Sequence, residues 1–101
     1  MTDLNIITSD FKDSDVSFVG LFGSRASGVH TAGSDYDFLI EFEPDKKYTM
    51  LDLSNLKGRL EKRLGASVDL VTTNSIHPYM KKNILSNIQV LYDTRSRSSF
   101  S

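Results

Sequence analysis

Cysteine is absent from the 101 residues, which excludes a disulfide framework, a thiolate zinc site and a cysteine nucleophile, and fits a reducing cytoplasm. An excess of charge of one sign is missing too. Twelve Lys and Arg stand against thirteen Asp and Glu, a formal net charge of -1, so no global basic field exists to hold a nucleic-acid backbone by counterion release. Stable DNA or RNA binding is therefore not expected. There is no long apolar run, and the start, Met-Thr-Asp-Leu-Asn, has no basic flank; neither a signal peptide nor a membrane span is expected. The length suffices for one two-layer core but not for a catalytic domain plus a separate substrate-recognition domain. What is present is ordinary for a compact globular chain: 39% hydrophobic and 25% charged residues.

Hydrophobic patterning divides the chain into alternating strands and helices. Residues 1–15 carry Leu4, Ile6, Ile7 and Phe11 at spacings that suit one short amphipathic helix. Val16 to Phe22 reads as a buried strand ending at Gly23, and Tyr36 to Phe42 as a second apolar strand closed by Pro44. Between them, 24–28 is short and small-residued and 31–34 has turn chemistry. Thr49 and Asp52 form a capping-box-like pair before Met50, Leu53, Leu56, Leu60 and Leu64, a stripe expected to be core, and Gly65 is the natural stop. A third strand is expected over 66–72, a helix from Pro78 through Met80, Ile84 and Leu85, and a last strand over 88–92. Residues 1–93 thus read as a single domain, followed by a low-complexity tail, 94–101, expected to be mobile. The order implies an α/β (α+β) sandwich with helices packed on a mixed sheet of four to five strands. The helix between the first two strands is too short for a full parallel crossover, so an antiparallel pairing is expected there.

Three features bear chemistry. Gly23 and Ser24 stand at a strand-to-helix turn, where backbone N–H groups can point at a phosphate and a residue without Cβ lets it approach; Gly-Ser is also simply a common turn. Asp35 and Asp37 are two apart on a strand, hence on one face with Cα atoms about 6 to 7 Å apart, and can bind hard divalent cations through oxygen. A solvated strand edge is the plainer reading of the pair. Asp69, between Val68 and Leu70, is poorly placed for a lone charge if its strand is central. It can join the other two as a third metal ligand, or as the base that takes a proton from an attacking hydroxyl, or it can face solvent. His30 and His77 have no metal-ligand spacing, and Lys81-Lys82 suits a solvated helix face.

Taken jointly, a strand, Gly-Ser, ten residues, Asp-Tyr-Asp at the head of the next strand and a later strand-borne Asp are more specific than any one part. Through Gly23-Ser24-Arg25-Ala26-Ser27-Gly28 and Ser34-Asp35-Tyr36-Asp37 the chain resembles the DNA polymerase beta-like nucleotidyltransferase superfamily, and most closely its minimal nucleotidyltransferase (MNT) members. The resemblance runs from about Val16 to Tyr92. It departs at Ser27, where a basic residue is frequent, and in the segment before the first strand, which is short for the usual leading helix and leaves one sheet face less covered.

This resemblance implies two Mg²⁺ ions held by Asp35, Asp37 and Asp69, with Gly23, Ser24 and Arg25 on the triphosphate of ATP. It implies transfer of a nucleoside monophosphate, AMP above all, to a hydroxyl on a partner protein. Small members similar to this chain pair with a helical HEPN-domain toxin as its antitoxin, which implies a homo- or hetero-oligomer. Two other readings stand beside it: a binding module that neutralises or scaffolds a HEPN-type partner by contact alone, and a small relative of aminoglycoside nucleotidyltransferases.

Overall fold

The computed structural model describes residues 4–23 and 35–94. Expectations for the short helix at 24–28, the turn at 31–34, Ser24, Arg25, His30 and the tail from 95 onward lie outside the described residues. A 3-10 turn, Leu4–Ile7, runs into helix α1, Thr8–Asp13. Strand β1, Val16–Phe22, and strand β2, Tyr36–Phe42, fall on the expected bounds. Helix α2, Met50–Leu64, precedes strand β3, Val68–Thr72; helix α3, Pro78–Ser86, precedes strand β4, Gln89–Asp93.

The ends of α2 are set by local chemistry. Thr49 accepts from the Asp52 N–H at 3.2 Å while Asp52 accepts from the Thr49 N–H at 2.9 Å, so two N–H groups that no helical carbonyl can reach are satisfied reciprocally. Gly65, at φ 65°, closes the helix in the left-handed region and donates to the Glu61 carbonyl. Pro78 opens α3 at a position that needs no N–H.

The sheet is mixed and four-stranded, in the order β3-β2-β1-β4. β1 pairs antiparallel with both β2 and β4, as expected for its pairing with β2, and β2 pairs parallel with β3 through the α2 crossover. Period-2 alternation then sorts side chains onto two faces. Tyr36, Phe38 and Ile40 of β2, Val19 and Leu21 of β1 and Val68 of β3 join Ile7, Phe11, Leu56 and Leu60 in one buried cluster, with the Phe11 and Phe38 rings edge to face at 5.5 Å. The short leading segment therefore does cover this face: Ile7 and Phe11, one helical turn apart, are both fully buried.

One part of the α2 stripe departs from expectation. Leu56 and Leu60 are buried and Leu53 and Leu64 half-buried, but Met50 is 73% exposed. As the first residue of the helix it extends beyond the edge of the sheet that the later turns pack upon.

This layer also holds a charge that no sequence motif announces. Asp10 of α1 is buried, with Arg63 Nε of α2 2.6 Å from its Oδ2 and Arg59 at 3.9 Å from its Oδ1. The contact to Oδ2 is made by charge rather than along a directed hydrogen bond. Both arginines are about half exposed, so their heads keep water while the carboxylate does not. Arg63→Ala leaves Asp10 with only the longer contact and should destabilise the fold by about 1–3 kcal/mol; a urea titration checks this as a lowered midpoint at unchanged slope.

Candidate active site

The second face of the sheet, opposite the α1–α2 layer, carries Phe18, Gly20 and Phe22 of β1, Asp37, Leu39 and Glu41 of β2, and Asp69 of β3, as the strand registers dictate. Asp37 is the register partner of Phe22 on one side and of Asp69 on the other. Neighbours in register point the same way, so Asp37 and Asp69 share this face at one end of the sheet. Asp35, two residues before Asp37, belongs to the same alternation and stands exposed just ahead of the strand.

Backbone contacts fix this end. The Tyr36 N–H donates to the Ser67 carbonyl at 2.9 Å, which starts the β2–β3 ladder beside Asp35. The Val68 N–H donates to Glu61 Oε2 at 3.0 Å, which ties the start of β3, one residue before Asp69, to α2. The loop end of β1 is equally constrained. Gly23 has φ 78°, and a Cβ there would overlap the Asp37 carboxylate. In the fold, the Asp37 carboxylate of the neighbouring strand lies against the position a Gly23 side chain would occupy.

Asp69 is exposed, and β3 is the edge of the sheet rather than a central strand. The burial penalty that made a lone charge there unfavourable does not arise, because the acid faces solvent. Asp37 is only half-buried, yet its carboxyl is held above the usual carboxylate range, first by burial and then by the negative charges of Asp69 and Asp35. The structure thus brings Asp35, Asp37 and Asp69 into electrostatic contact beside Gly23. His77, in contrast, lies against the Tyr79 ring at 4.2 Å, before α3 and away from the acids.

Among the described residues no three His, Cys, Asp or Glu side chains converge as a closed ligand set. The three aspartates interact through space without meeting at a point. Their chemistry nevertheless suits a hard divalent cation: all-oxygen donors, an open face, and like charges whose mutual repulsion a cation would relieve.

Two predictions follow from the crowding. Asp37→Asn should raise thermal stability at neutral pH, because a carboxyl whose folded value is raised opposes folding once ionised. The gain should shrink as pH falls through the raised value and vanish below the ordinary carboxylate range; differential scanning calorimetry across pH 3 to 8, a range on the scale of carboxylate titration, reads it. Gly23→Ala should lower the melting temperature through both the left-handed φ and the clash with Asp37, by about 1–3 kcal/mol of stability in chemical denaturation.

Comparison with known proteins fits this arrangement. The "Polymerase beta, Nucleotidyltransferase" family matches residues 5–97. "Putative protein adenylyltransferase MJ1379" of Methanocaldococcus jannaschii is 44% identical over 70 residues, 68% of this chain and 70% of its own length. "Putative protein adenylyltransferase MJ0435" of the same organism is 46% identical over 70 residues, 69% of this chain and 73% of its own. Among solved structures, a "putative minimal nucleotidyltransferase" superposes with TM-score 0.75 at 32% identity, covering 86% of this chain and 87% of that one. A toxin–antitoxin crystal structure with AMP-PNP gives TM-score 0.80 at 21% identity over 98% of this chain and 80% of that one. A tri-AMPylated Shewanella oneidensis HEPN toxin in complex with MNT antitoxin gives 0.69 at 19%, over 95% and 74%. With a family match over nearly the whole chain and the strand-borne acids in register, the chain belongs to the DNA polymerase beta-like nucleotidyltransferases, as a minimal nucleotidyltransferase domain.

Proposed function

We propose that this domain transfers AMP from ATP to a hydroxyl on a partner protein, and that the partner is a HEPN-type toxin for which the domain is the antitoxin. The observation that carries the reading is the register that sets Asp37 against Asp69 with Asp35 beside them, on an open face next to Gly23. Support for the acceptor comes from relatives named as protein adenylyltransferases and from a similar fold solved with an AMPylated HEPN toxin.

In this reading Asp35, Asp37 and Asp69 hold two Mg²⁺ ions, and Gly23, Ser24 and Arg25 take the triphosphate. Bound Mg²⁺ would polarise the α-phosphate and neutralise charge on the oxygens that attack and leave. The chain's own groups do the rest. Asp37, the most crowded acid, gains most from a cation, whereas exposed Asp69 stands where it can serve as third ligand or accept the proton of the attacking hydroxyl. The acceptor oxygen bonds to the α-phosphorus, the bond to the β-phosphate oxygen breaks, and pyrophosphate leaves with that electron pair. The absence of cysteine suits work in a reducing cytoplasm.

The test incubates the chain with a HEPN-type protein, taken from the adjacent reading frame where that frame encodes one, together with Mg²⁺ and ATP labelled at the α-phosphate. Label should appear on the partner and fall at least about a hundredfold with Asp35→Ala/Asp37→Ala, the scale of losing electrostatic stabilisation at a phosphoryl centre. Neutralisation that persists in the double variant, with no label in either sample, would instead establish a module acting by contact alone.

A further inference from the structure

Helix α3 is short and apolar, and the rest of the described chain gives it little to pack on. Of its nine residues, Pro78, Tyr79, Met80, Ile84 and Leu85 are apolar, yet none is buried. Tyr79 is 72% exposed, Met80 49% and Leu85 44%, and Val90 of the following strand 53%. A helix of this length is marginal on propensity alone and ordinarily draws its stability from an apolar face packed against something. Among the described residues that packing is supplied only by half-buried Ile84 and by Ile88 just beyond the helix.

Its place in the fold connects it to the acids. The chain must pass from β3 at one edge of the sheet to β4 at the other, and α1 and α2 already occupy one face. The passage runs over the acid-bearing face, because Ile88 fills the space above Gly20 there, so closely that a Cβ on Gly20 would overlap it. Since β4 starts opposite Leu21, near the end of β1 that leads to Gly23, α3 runs toward the acid-bearing end of the sheet and finishes at that end, on the β4 edge.

The charge of this segment is one-sided. No Asp or Glu occurs between Asp69 and Asp93, whereas Lys81 and Lys82 do, in a chain of net charge -1. Both lysines, with Pro78, Leu85 and Ser86, line a shallow groove along the exposed side of α3. An apolar strip rimmed by cations is complementary to an apolar protein surface rimmed by carboxylates. Two lysines are too few to hold a nucleic-acid backbone by counterion release.

We infer that α3 is the docking surface for the acceptor protein, which lays an acid-rimmed apolar face on Pro78, Tyr79, Leu85 and the two lysines and thereby brings its hydroxyl to the Asp35–Asp37–Asp69 end. The inference rests on the proposed transfer for the identity of the occupant, but the surface itself is read from exposure, topology and charge. The acceptor then binds on the acid-bearing face, on a helix whose apolar side chains the described residues leave largely exposed.

The test uses the full chain and the same HEPN-type protein, and compares wild type with Leu85→Asp and with Lys81→Glu/Lys82→Glu. Two readouts are taken: the dissociation constant by calorimetry, and the rise in melting temperature on adding Mg²⁺ and a non-hydrolysable ATP analogue. Both variants should weaken partner binding tenfold or more and lose labelling of the partner in proportion, with the nucleotide-induced rise retained. The lysine variant changes only exposed side chains, so it reads the surface even if Leu85→Asp fails to fold. Wild-type affinity in the lysine variant would overturn the inference whether or not Leu85→Asp folds, and so would wild-type affinity in a folded Leu85→Asp. So would a wild-type dimer that Leu85→Asp dissociates while partner binding persists, since a second copy would then be the occupant. If wild type binds the partner without labelling it and the variants lose that binding, the surface stands and the transfer reading falls.

Discussion

Parallel pairing of β2 with β3 places Asp37 directly opposite Asp69, and most of what this domain does depends on that register. A slip of one residue would send Asp69 into the cluster of Tyr36, Phe38 and Val68 and bring an apolar side chain to the acid face. The register is held at its start from two sides, by the Tyr36 N–H on the Ser67 carbonyl and by the Val68 N–H on Glu61 of α2. Helix α2 therefore does more than cover the sheet. Its capping box, buried Leu56 and Leu60, and Glu61 set where the edge strand begins, and so where the third carboxylate stands.

The two faces of the sheet divide the labour. One is closed by Ile7, Phe11, Leu56 and Leu60, and Asp10, the one buried charge among the described residues, is answered by Arg63. The other keeps three like charges at one end, with Asp37 lifted by its neighbours, and a crossing helix with none of its residues buried. Such an arrangement costs stability in the isolated domain, and ligands would relieve it: a cation on the acids and a protein surface on the helix, as proposed above. Gly23 links backbone and charge, since its missing Cβ makes room for the Asp37 carboxylate at a turn that also demands a positive φ.

Much of this was legible in the sequence because it follows from periodicity and from residues with a single structural use. Val16–Phe22 and Tyr36–Phe42 are strands whose apolar runs end at Gly23 and Pro44; Thr49, Asp52 and Gly65 mark both ends of α2. The antiparallel β1–β2 pair was expected because the helical stretch between them is too short for a full crossover. Harder to read was whatever depends on tertiary placement. Asp69 looked like a charge in need of a partner because its strand could not be recognised as an edge. Met50 continued a helical stripe that the sheet does not reach, and the Asp10–Arg63 pair joins residues far apart in sequence with no motif to connect them. The exposure of α3 was invisible for the same reason: Met80, Ile84 and Leu85 have the spacing of a core helix, and only the fold shows that Ile84 alone of the three is even half-buried.

The central claim is that Asp35, Asp37 and Asp69 form one divalent-cation and nucleotide site. Calorimetric titration with Mn²⁺ in the presence of a non-hydrolysable ATP analogue tests it without requiring turnover or an acceptor. The account predicts binding of the metal–nucleotide pair by the wild-type chain and its loss when any one of the three aspartates is replaced by Asn. Unchanged binding in the Asp37→Asn and Asp69→Asn variants would contradict it.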